Sequence, residues 1–215
     1  MPAAARKTDP TGHGMPLNPG PGSLDVDIGG MPAWRALPAA VAPAAEALAK
    51  DTKGLLEKPV LNPANSAATV ASMIKGITEC AAQAAAEGNP AAVGPAAAQA
   101  ATLTTMLATL TTTWIAAVLV PGGQPAADQA FTQGLKPAAE AATVATFNAI
   151  AGASDLHTCT IPVPPMPHGP GLVTKASSTV MINGLPAARQ GDNVMEACGG
   201  GDPISMGFPT VDIGG

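Results

Sequence analysis

Three short segments of the chain alternate apolar and polar positions and then end in a glycine-containing pair. They read VDIGG at 26–30, VMING at 180–184 and VDIGG at 211–215. Alternate residues of a strand point to one face, so each segment predicts a short strand with an apolar face. Gly-Gly and Asn-Gly supply the positive φ angles of tight hairpin turns. The first two copies continue alike, as MPAWR at 31–35 and LPAAR at 185–189, which predicts a repeated β unit.

The segment from 36 to 154 has a different pattern, because it is rich in Ala and Thr. Ala is the best helix former, and the Pro and Gly residues divide the segment into predicted helices at about 38–56, 64–87, 95–120 and 125–152. We therefore expect a small all-β fold, with three repeats around a pseudo-threefold axis. It would be built from residues 1–35 and 155–215 and interrupted by an inserted α-helical region at 36–154.

Upstream of each predicted strand, one side chain recurs at nearly the same distance. His13 lies 13 residues before Val26, His168 lies 12 before Val180, and Cys198 lies 13 before Val211. Each is followed by Gly, and the chain has only three His and three Cys. If the three repeats pack around one axis, these side chains converge.

Imidazole and thiolate groups suit a tetrahedral zinc ion, and a closed site needs a fourth ligand. The stretch DLHTC at 155–159 offers two, His157 and Cys159, and both lie within reach on an extended strand. With all three histidines assigned to this site, no nucleophile–base pair remains, so we do not expect an enzyme.

Charge and composition limit the kinds of partner and the cellular compartment that are expected for this chain. The net charge is −5 and the ten Lys and Arg residues are scattered, so no basic face for nucleic acid is expected. The N-terminal stretch MPAAARKTDP lacks the apolar run of a signal peptide. Three cysteines, an odd number, fit a reducing compartment.

The insert allows two interpretations. Residues 88–127 contain no charge, and the 19 residues at 102–120 approach the length that spans a bilayer core. Seven of these 19 are Thr, which lowers the hydrophobicity. The segment is therefore either the central helix of a soluble bundle or a segment that enters a membrane.

The repeated motifs resemble those of PAAR-repeat proteins, the conical tips of contractile injection systems such as type VI secretion. PAAR stands at 186–189, followed by Gly191 and Asp192, and AARKTD at 4–9 and PAWR at 32–35 are similar. The resemblance covers residues 1–35 and 155–215, and the long insert departs from it.

The resemblance implies a three-faced β cone whose base caps a trimeric spike protein of the VgrG type. It also implies one zinc ion near the point, bound by His13, His168 and Cys198, with His157 as the preferred fourth ligand and Cys159 as the reserve.

The expected function is to cap and sharpen the spike, helping it to puncture the target envelope and deliver effectors. The insert would dock cargo or effector proteins. In the alternative, the tip carries an effector whose helical insert acts on the target membrane. Such a protein would be made in the bacterial cytoplasm, loaded on the particle and delivered outside the cell or into a target.

Overall fold

The computed structural model describes residues 1–152, 154–163 and 166–215, and it places helices between two sets of strands. The helices are α1 (Ala42–Leu56), α2 (Pro63–Ala86), α3 (Val93–Val118) and α4 (Gln124–Ala151), with a 3-10 turn at Pro90–Ala92. The four helices predicted from the Ala-rich pattern are confirmed, with ends within four residues of the expected ones.

The strands are short and all pair antiparallel. They are β1 (Ala3–Ala4), β2 (Asp27–Ile28), β3 (Met31–Pro32), β4 (Leu156–Val163), β5 (Met166–Val173), β6 (Met181–Ile182), β7 (Leu185–Pro186), β8 (Asn193–Glu196), β9 (Gly200–Pro203) and β10 (Phe208–Asp212). One sheet has the order β4-β5-β8-β9, and the pairs β1–β10, β2–β3 and β6–β7 are separate.

Local sequence signals explain where the helices begin. The Asn62 side chain accepts a bond from Asn65 N at 3.0 Å, and the Asn65 side chain accepts one from Asn62 N at 2.9 Å. This reciprocal pair caps α2. Helices α1, α2 and α4 each have Pro in the first turn, where its missing N–H costs nothing.

One apolar core joins the helices to the four-stranded sheet. Phe131 and Phe147 of α4 and Ile77 of α2 are buried in it, and the same cluster continues into Leu172 of β5 and Cys198 beyond β8. Helices α4 and α1 contact β5 and β8 respectively. The helical region therefore packs on the sheet. The division into domains at 35 and 154 stays a prediction.

The three repeated phrases form equivalent antiparallel hairpins. Hairpins β2–β3 and β6–β7 are continuous in sequence. The third joins the two ends of the chain, because β10 pairs with β1 and Ile213 N donates to Pro2 O at 3.0 Å. Ile28, Ile182 and Ile213, one from each phrase, pack together in a single buried cluster.

Three backbone hydrogen bonds close these hairpins into a ring. Trp34 N donates to Ala5 O, Ala5 N donates to Ala188 O, and Ala188 N donates to Trp34 O, each at 3.0 Å. Each hairpin thus donates one of these hydrogen bonds and accepts another. This is the interlocking expected of three repeats that surround a common centre.

Each hairpin also leads into a buried or half-buried arginine–aspartate pair with the same geometry. Arg35 Nε and Nη2 donate to the two carboxylate oxygens of Asp155, both at 2.9 Å. Arg6 binds Asp9 and Arg189 binds Asp192 through the same atoms, at 2.9 to 3.3 Å. Such bidentate pairs are among the strong charge-assisted hydrogen bonds.

These pairs locate the helical insert. Asp9 and Asp192 follow their arginines by three residues, whereas Asp155 follows Arg35 by 120. Even so, Asp155 N donates to Arg35 O at 3.2 Å, as Asp192 N does to Arg189 O at 3.0 Å. The helical segment therefore occupies the place of a two-residue turn.

Helix α3 is the outermost helix and contacts α2 and α4. Together with the preceding 3-10 turn it forms the stretch Pro90–Val118, which is long and apolar enough to cross a membrane by length and composition alone. Only 6% of its most apolar 18-residue window is buried. It is thus not the central helix of a soluble bundle.

The buried pair Arg35–Asp155 should hold the ends of the insert together. Because Asp155 is fully buried, Asp155→Asn leaves the Arg35 charge without its partner, and we expect a loss of about 3–5 kcal/mol in the free energy of unfolding. Urea denaturation measures this loss. The control is Glu79→Gln in the exposed pair Lys75–Glu79, where less than about 0.5 kcal/mol should be lost. Equal losses in both variants would contradict this role.

Candidate metal centre

The hairpin β4–β5 carries three of the candidate ligands. Its register places Cys159 opposite Gly169, so His168 is next to the cross-strand partner of Cys159. His157 lies two residues before Cys159, and side chains at that spacing share a face of a strand. All three side chains are buried.

His13 reaches this hairpin from the N-terminal segment. It sits in a tight turn in which Gly14 N donates to Thr11 O at 2.9 Å. Gly14 has φ +76°, a conformation that favours glycine. The turn is held against β9, since His13 N donates to Asp202 Oδ1 at 2.9 Å.

The thiol of Cys159 lies between two imidazoles. Its Sγ is 3.7 Å from Nδ1 of His13 and 3.7 Å from Nδ1 of His168. The usual zinc–sulfur and zinc–nitrogen distances at a tetrahedral angle put sulfur and nitrogen about 3.5 Å apart. The spacing of these three atoms therefore fits a tetrahedral ion.

Glu196, at the end of β8, completes this group. Its Oε1 is 3.1 Å from His13 Nδ1, and its Oε2 is 2.5 Å from His168 Nδ1. The side chain is fully buried, and one donor atom from each of the four residues lies within 4.8 Å of the others. A Cβ at Gly199 would collide with Glu196 and His168, so glycine is required there.

His157 belongs to a second group, with Glu196 and Asp202. Its Nδ1 lies 3.0 Å from the carbonyl oxygen of Pro16, which can only accept a hydrogen bond. Nδ1 therefore carries the proton, and Nε2 presents its lone pair. Among the described residues, Nε2 has no hydrogen-bond partner, and burial lowers the pKa of His157. A metal-binding histidine is commonly oriented in this way.

Burial is the main reason that the pKa of Cys159 rises to about 12, and the nearby carboxylates Glu196 and Asp202 add to it. The thiol is therefore protonated unless a cation displaces the proton. Oε2 of Glu196 and Oδ2 of Asp202 are also buried, and they face histidine Nδ1 atoms, of His168 at 2.5 Å and of His13 at 3.3 Å. A metal ion would satisfy these atoms, so the residues fit one.

The structure brings together only part of the ligand set predicted from the repeats. His13 and His168 meet, and His157 lies in the adjoining group. Cys198 is in neither group among the described residues. It packs in the core shared with the helices, and burial raises the pKa of its thiol to about 12. Cys159, the reserve, occupies the place between the histidines. Which of these residues bind metal stays a prediction.

The sequence does contain a spacing that points to Glu196. It appears when residues are counted forward from the aspartate of each arginine–aspartate pair. His13, Cys159 and Glu196 each follow the aspartate of their pair by four residues. Counting back from the valine of each predicted strand points to Cys198 instead. This count is misleading because the segment that joins the candidate ligand to the strand has a different length in each repeat. The 120-residue separation of Arg35 and Asp155 hides the forward register in the sequence.

The three interlocked hairpins and the buried His/Cys/carboxylate group define a small β structure made of repeats, with a candidate metal site. The model of the PAAR motif family matches residues 137–200 and 163–215. The match at residues 137–215 supports a PAAR-repeat protein. No curated protein and no solved structure matches it.

The two buried cysteines should behave differently when replaced. Cys159→Ser removes the thiolate, the softest donor of the group, so zinc should fall well below one equivalent per chain in elemental analysis. Cys198→Ser should keep its zinc and lose about 1–3 kcal/mol of stability, the cost of a buried hydroxyl without a partner. Zinc retained in Cys159→Ser but lost in Cys198→Ser would support the ligand set predicted from the repeats.

Proposed function

We propose that this protein is the tip of a contractile injection system and caps the trimeric VgrG-type spike. The observation that carries the proposal is the closed ring of three equivalent hairpins in a PAAR-repeat protein. Such a ring gives one chain three similar faces, and a trimeric partner presents three identical ones. Matching symmetry lets one chain contact all three subunits in the same way.

The hairpins also supply a surface suited to another protein. Exposed large apolar side chains occur on or beside them, namely Met1, Leu24, Met181 and Val211. Short strands with free edges pair readily with the strands of a partner. The hairpin end is therefore the proposed base, and the cone would point away from it.

We propose that His13, Cys159, His168 and Glu196 hold one structural zinc ion. This set keeps two residues of the set expected from the family and uses Cys159 and Glu196 in place of Cys198 and His157. The ion would link the N-terminal segment, which carries His13, to the strands β4, β5 and β8. These strands are far from that segment in sequence. Structural zinc sites contribute about 10–16 kcal/mol to folding. Four protein ligands leave no open position, which favours a structural rather than a catalytic role.

The PAAR motif match supports an association with a secretion system. We propose synthesis in the bacterial cytoplasm, loading on the spike, and release with it outside the cell or into a target, with cargo or effector proteins carried on the helices. The net charge of −5 disfavours nucleic acid as a partner.

Replacing the insert by a natural turn tests this function. Residues 36–154 are exchanged for Gln-Gly, so that Arg35 and Asp155 enclose the same two residues as Arg189 and Asp192. We expect the shortened chain to bind zinc and to be retained by a purified VgrG-type trimer at one chain per trimer, since the ring and the proposed ligands remain.

The control for this experiment is the shortened chain with Trp34→Pro. Proline lacks the N–H that donates to Ala5 O, so it opens the ring and should abolish retention. Failure of the full-length protein to bind the trimer would contradict the capping function. A shortened chain that does not fold, beside a full-length chain that binds, would contradict the proposed division at 35 and 154.

A second candidate function rests on the exposure of α3. The Thr hydroxyls along it bond to backbone carbonyls one turn earlier, as Thr109 does to Thr105 O at 2.9 Å and Thr113 to Thr109 O at 3.0 Å. Hydroxyls satisfied in this way can enter hydrocarbon at low cost. In this alternative, the spike delivers α3 to the target membrane.

Trp114, near the end of α3, reports on this alternative. Full-length protein mixed with anionic lipid vesicles should show a blue-shifted fluorescence and should release an entrapped dye, because the indole enters an apolar medium. Ile115→Asp places a charge on the half-exposed face of α3 and should reduce dye release at least tenfold. Ala82→Asp on the exposed face of α2 is the matched control and should leave it unchanged. Absence of dye release from the wild-type protein would refute the alternative.

A further inference from the structure

A groove runs along one side of α1, on the opposite side of the helical region from the exposed helix α3. It consists of two hollows of about 320 Å³ and 680 Å³. Pro43 and Glu46 of α1 line both hollows, so the two adjoin. The first also touches the segment 174–178 after β5, and the second touches Met195 of β8 and the glycines 199–201. We call this feature the α1 groove.

The α1 groove is rich in positive charge, although the net charge of the protein is −5. Lys175 lines the first hollow, and Lys50 and Lys53 line the second. In the part of the chain that the structure describes, neither Lys50 nor Lys175 forms an ion pair. Lys53 pairs with Glu57 one turn further along α1, and such an exposed pair holds its lysine only weakly. All three ammonium groups are therefore available to an anionic ligand.

The middle of the α1 groove has the opposite charge. Glu46 lines both hollows and is the acidic residue of their lining. Its Oε1 accepts a hydrogen bond from Thr174 Oγ1 at 2.7 Å, which holds the carboxylate between the two groups of lysines. A ligand with negative charge along its whole length would meet this carboxylate. The groove therefore fits a ligand that is negative at both ends and uncharged in the middle.

One wall of the α1 groove offers backbone groups. The strand β9 pairs with β8 along one edge. Along the other edge the N-terminal segment reaches its far end, where Gly12 N donates to Pro203 O at 2.7 Å. Among the described residues, no backbone bond from outside β8 reaches Gly200 or Gly201. A free strand edge of this kind pairs with an extended peptide.

The size and lining of the α1 groove favour a peptide over a nucleic acid. Pro43 and Lys53 are ten positions apart on α1, which is about 15 Å at 1.5 Å per residue. An extended peptide of about five residues has this length. The lining contains no aromatic side chain and no arginine, the groups that stack on bases and bind phosphates in a bidentate manner.

We propose that the α1 groove binds an extended segment of a cargo protein, about five residues long, with acidic residues at both ends and an uncharged residue between them. The acidic residues at one end lie against Lys175 and those at the other end against Lys50 and Lys53. The peptide backbone pairs with β9 at Gly200 and Gly201. The assignment of the partner as cargo rests on the function proposed above, whereas the charge and backbone chemistry come from the groove itself.

Two fluorescein-labelled peptides test the proposal, one with the core Glu-Asp-Val-Glu-Asp and one with the neutral core Gln-Asn-Val-Gln-Asn. Binding to the full-length protein is measured by fluorescence anisotropy at low salt. We expect the acidic peptide to bind about tenfold more tightly than the neutral one, and its binding to weaken as salt is added. Lys50→Gln and Lys175→Gln should each weaken it about threefold. The matched control is Lys75→Gln on α2, outside the groove, which should leave binding unchanged.

A second pair of variants tests the location without a change of charge. Ala47 is an exposed residue of α1 that lines the second hollow, so Ala47→Phe fills the hollow and should also weaken binding of the acidic peptide. Ala82→Phe on the exposed face of α2 is its control and should not. In NMR spectra of the wild-type protein, the amide signals of Gly200 and Gly201 should shift when the acidic peptide is added.

Equal binding of the two peptides overturns the proposal, and so does unchanged binding in Lys50→Gln, Lys175→Gln and Ala47→Phe. Tighter binding of a single-stranded oligonucleotide than of the acidic peptide also overturns it, because the groove would then be a nucleic-acid site. These results are separate from retention by the VgrG-type trimer. A protein that caps the trimer but does not distinguish the peptides loses only the peptide site, and one that binds the acidic peptide but not the trimer loses the capping function.

Discussion

The closed ring of backbone bonds among Ala5, Trp34 and Ala188 is the constraint on which the rest of the structure depends. Its three members come from the beginning, the first third and the end of the chain, so no single stretch of sequence can form it alone. The hairpins are only two residues per strand in two cases and would be marginal in isolation. Their stability must come from one another, through the ring and the shared isoleucine cluster.

The candidate metal site depends on the same closed ring. Each arginine–aspartate pair lies directly after a ring residue, and the chain then runs four residues to His13, Cys159 or Glu196. The ring thus fixes where each of these three four-residue segments begins, and the arginine–aspartate pairs fix the direction in which each segment runs. Only when all three hairpins are in place do the two imidazoles, the thiol and the carboxylate come within 4.8 Å. Ring formation therefore assembles the candidate metal site.

The sequence was sufficient to predict the features that repeat or that have a strong local period. The hairpins β2–β3 and β6–β7 follow from alternation and turn residues, and the helices follow from the Ala-rich pattern with its proline and glycine ends. The pairing of β10 with β1 does not, because no turn joins these two strands. The convergence of His13 and His168 also followed from repeat spacing. The direction of Cys198 did not, because a spacing along the chain does not fix which way a side chain points. Glu196 and Asp202 were missed since scattered acidic residues usually lie on the surface.

The position of the helical insert explains why the helices pack on the sheet that carries the candidate ligands. It replaces a turn between Arg35 and Asp155, and from there α4 lies against β5, the strand that carries His168. The side of the β structure that holds Cys198 becomes part of the helical core, which removes that thiol from the histidines. The insert thus packs on the sheet that carries the candidate ligands, while α3 remains outermost. Helix α3 contacts α2 and α4, whereas α4 also contacts β5, so a change in the position of α4 would reach the strand that carries His168.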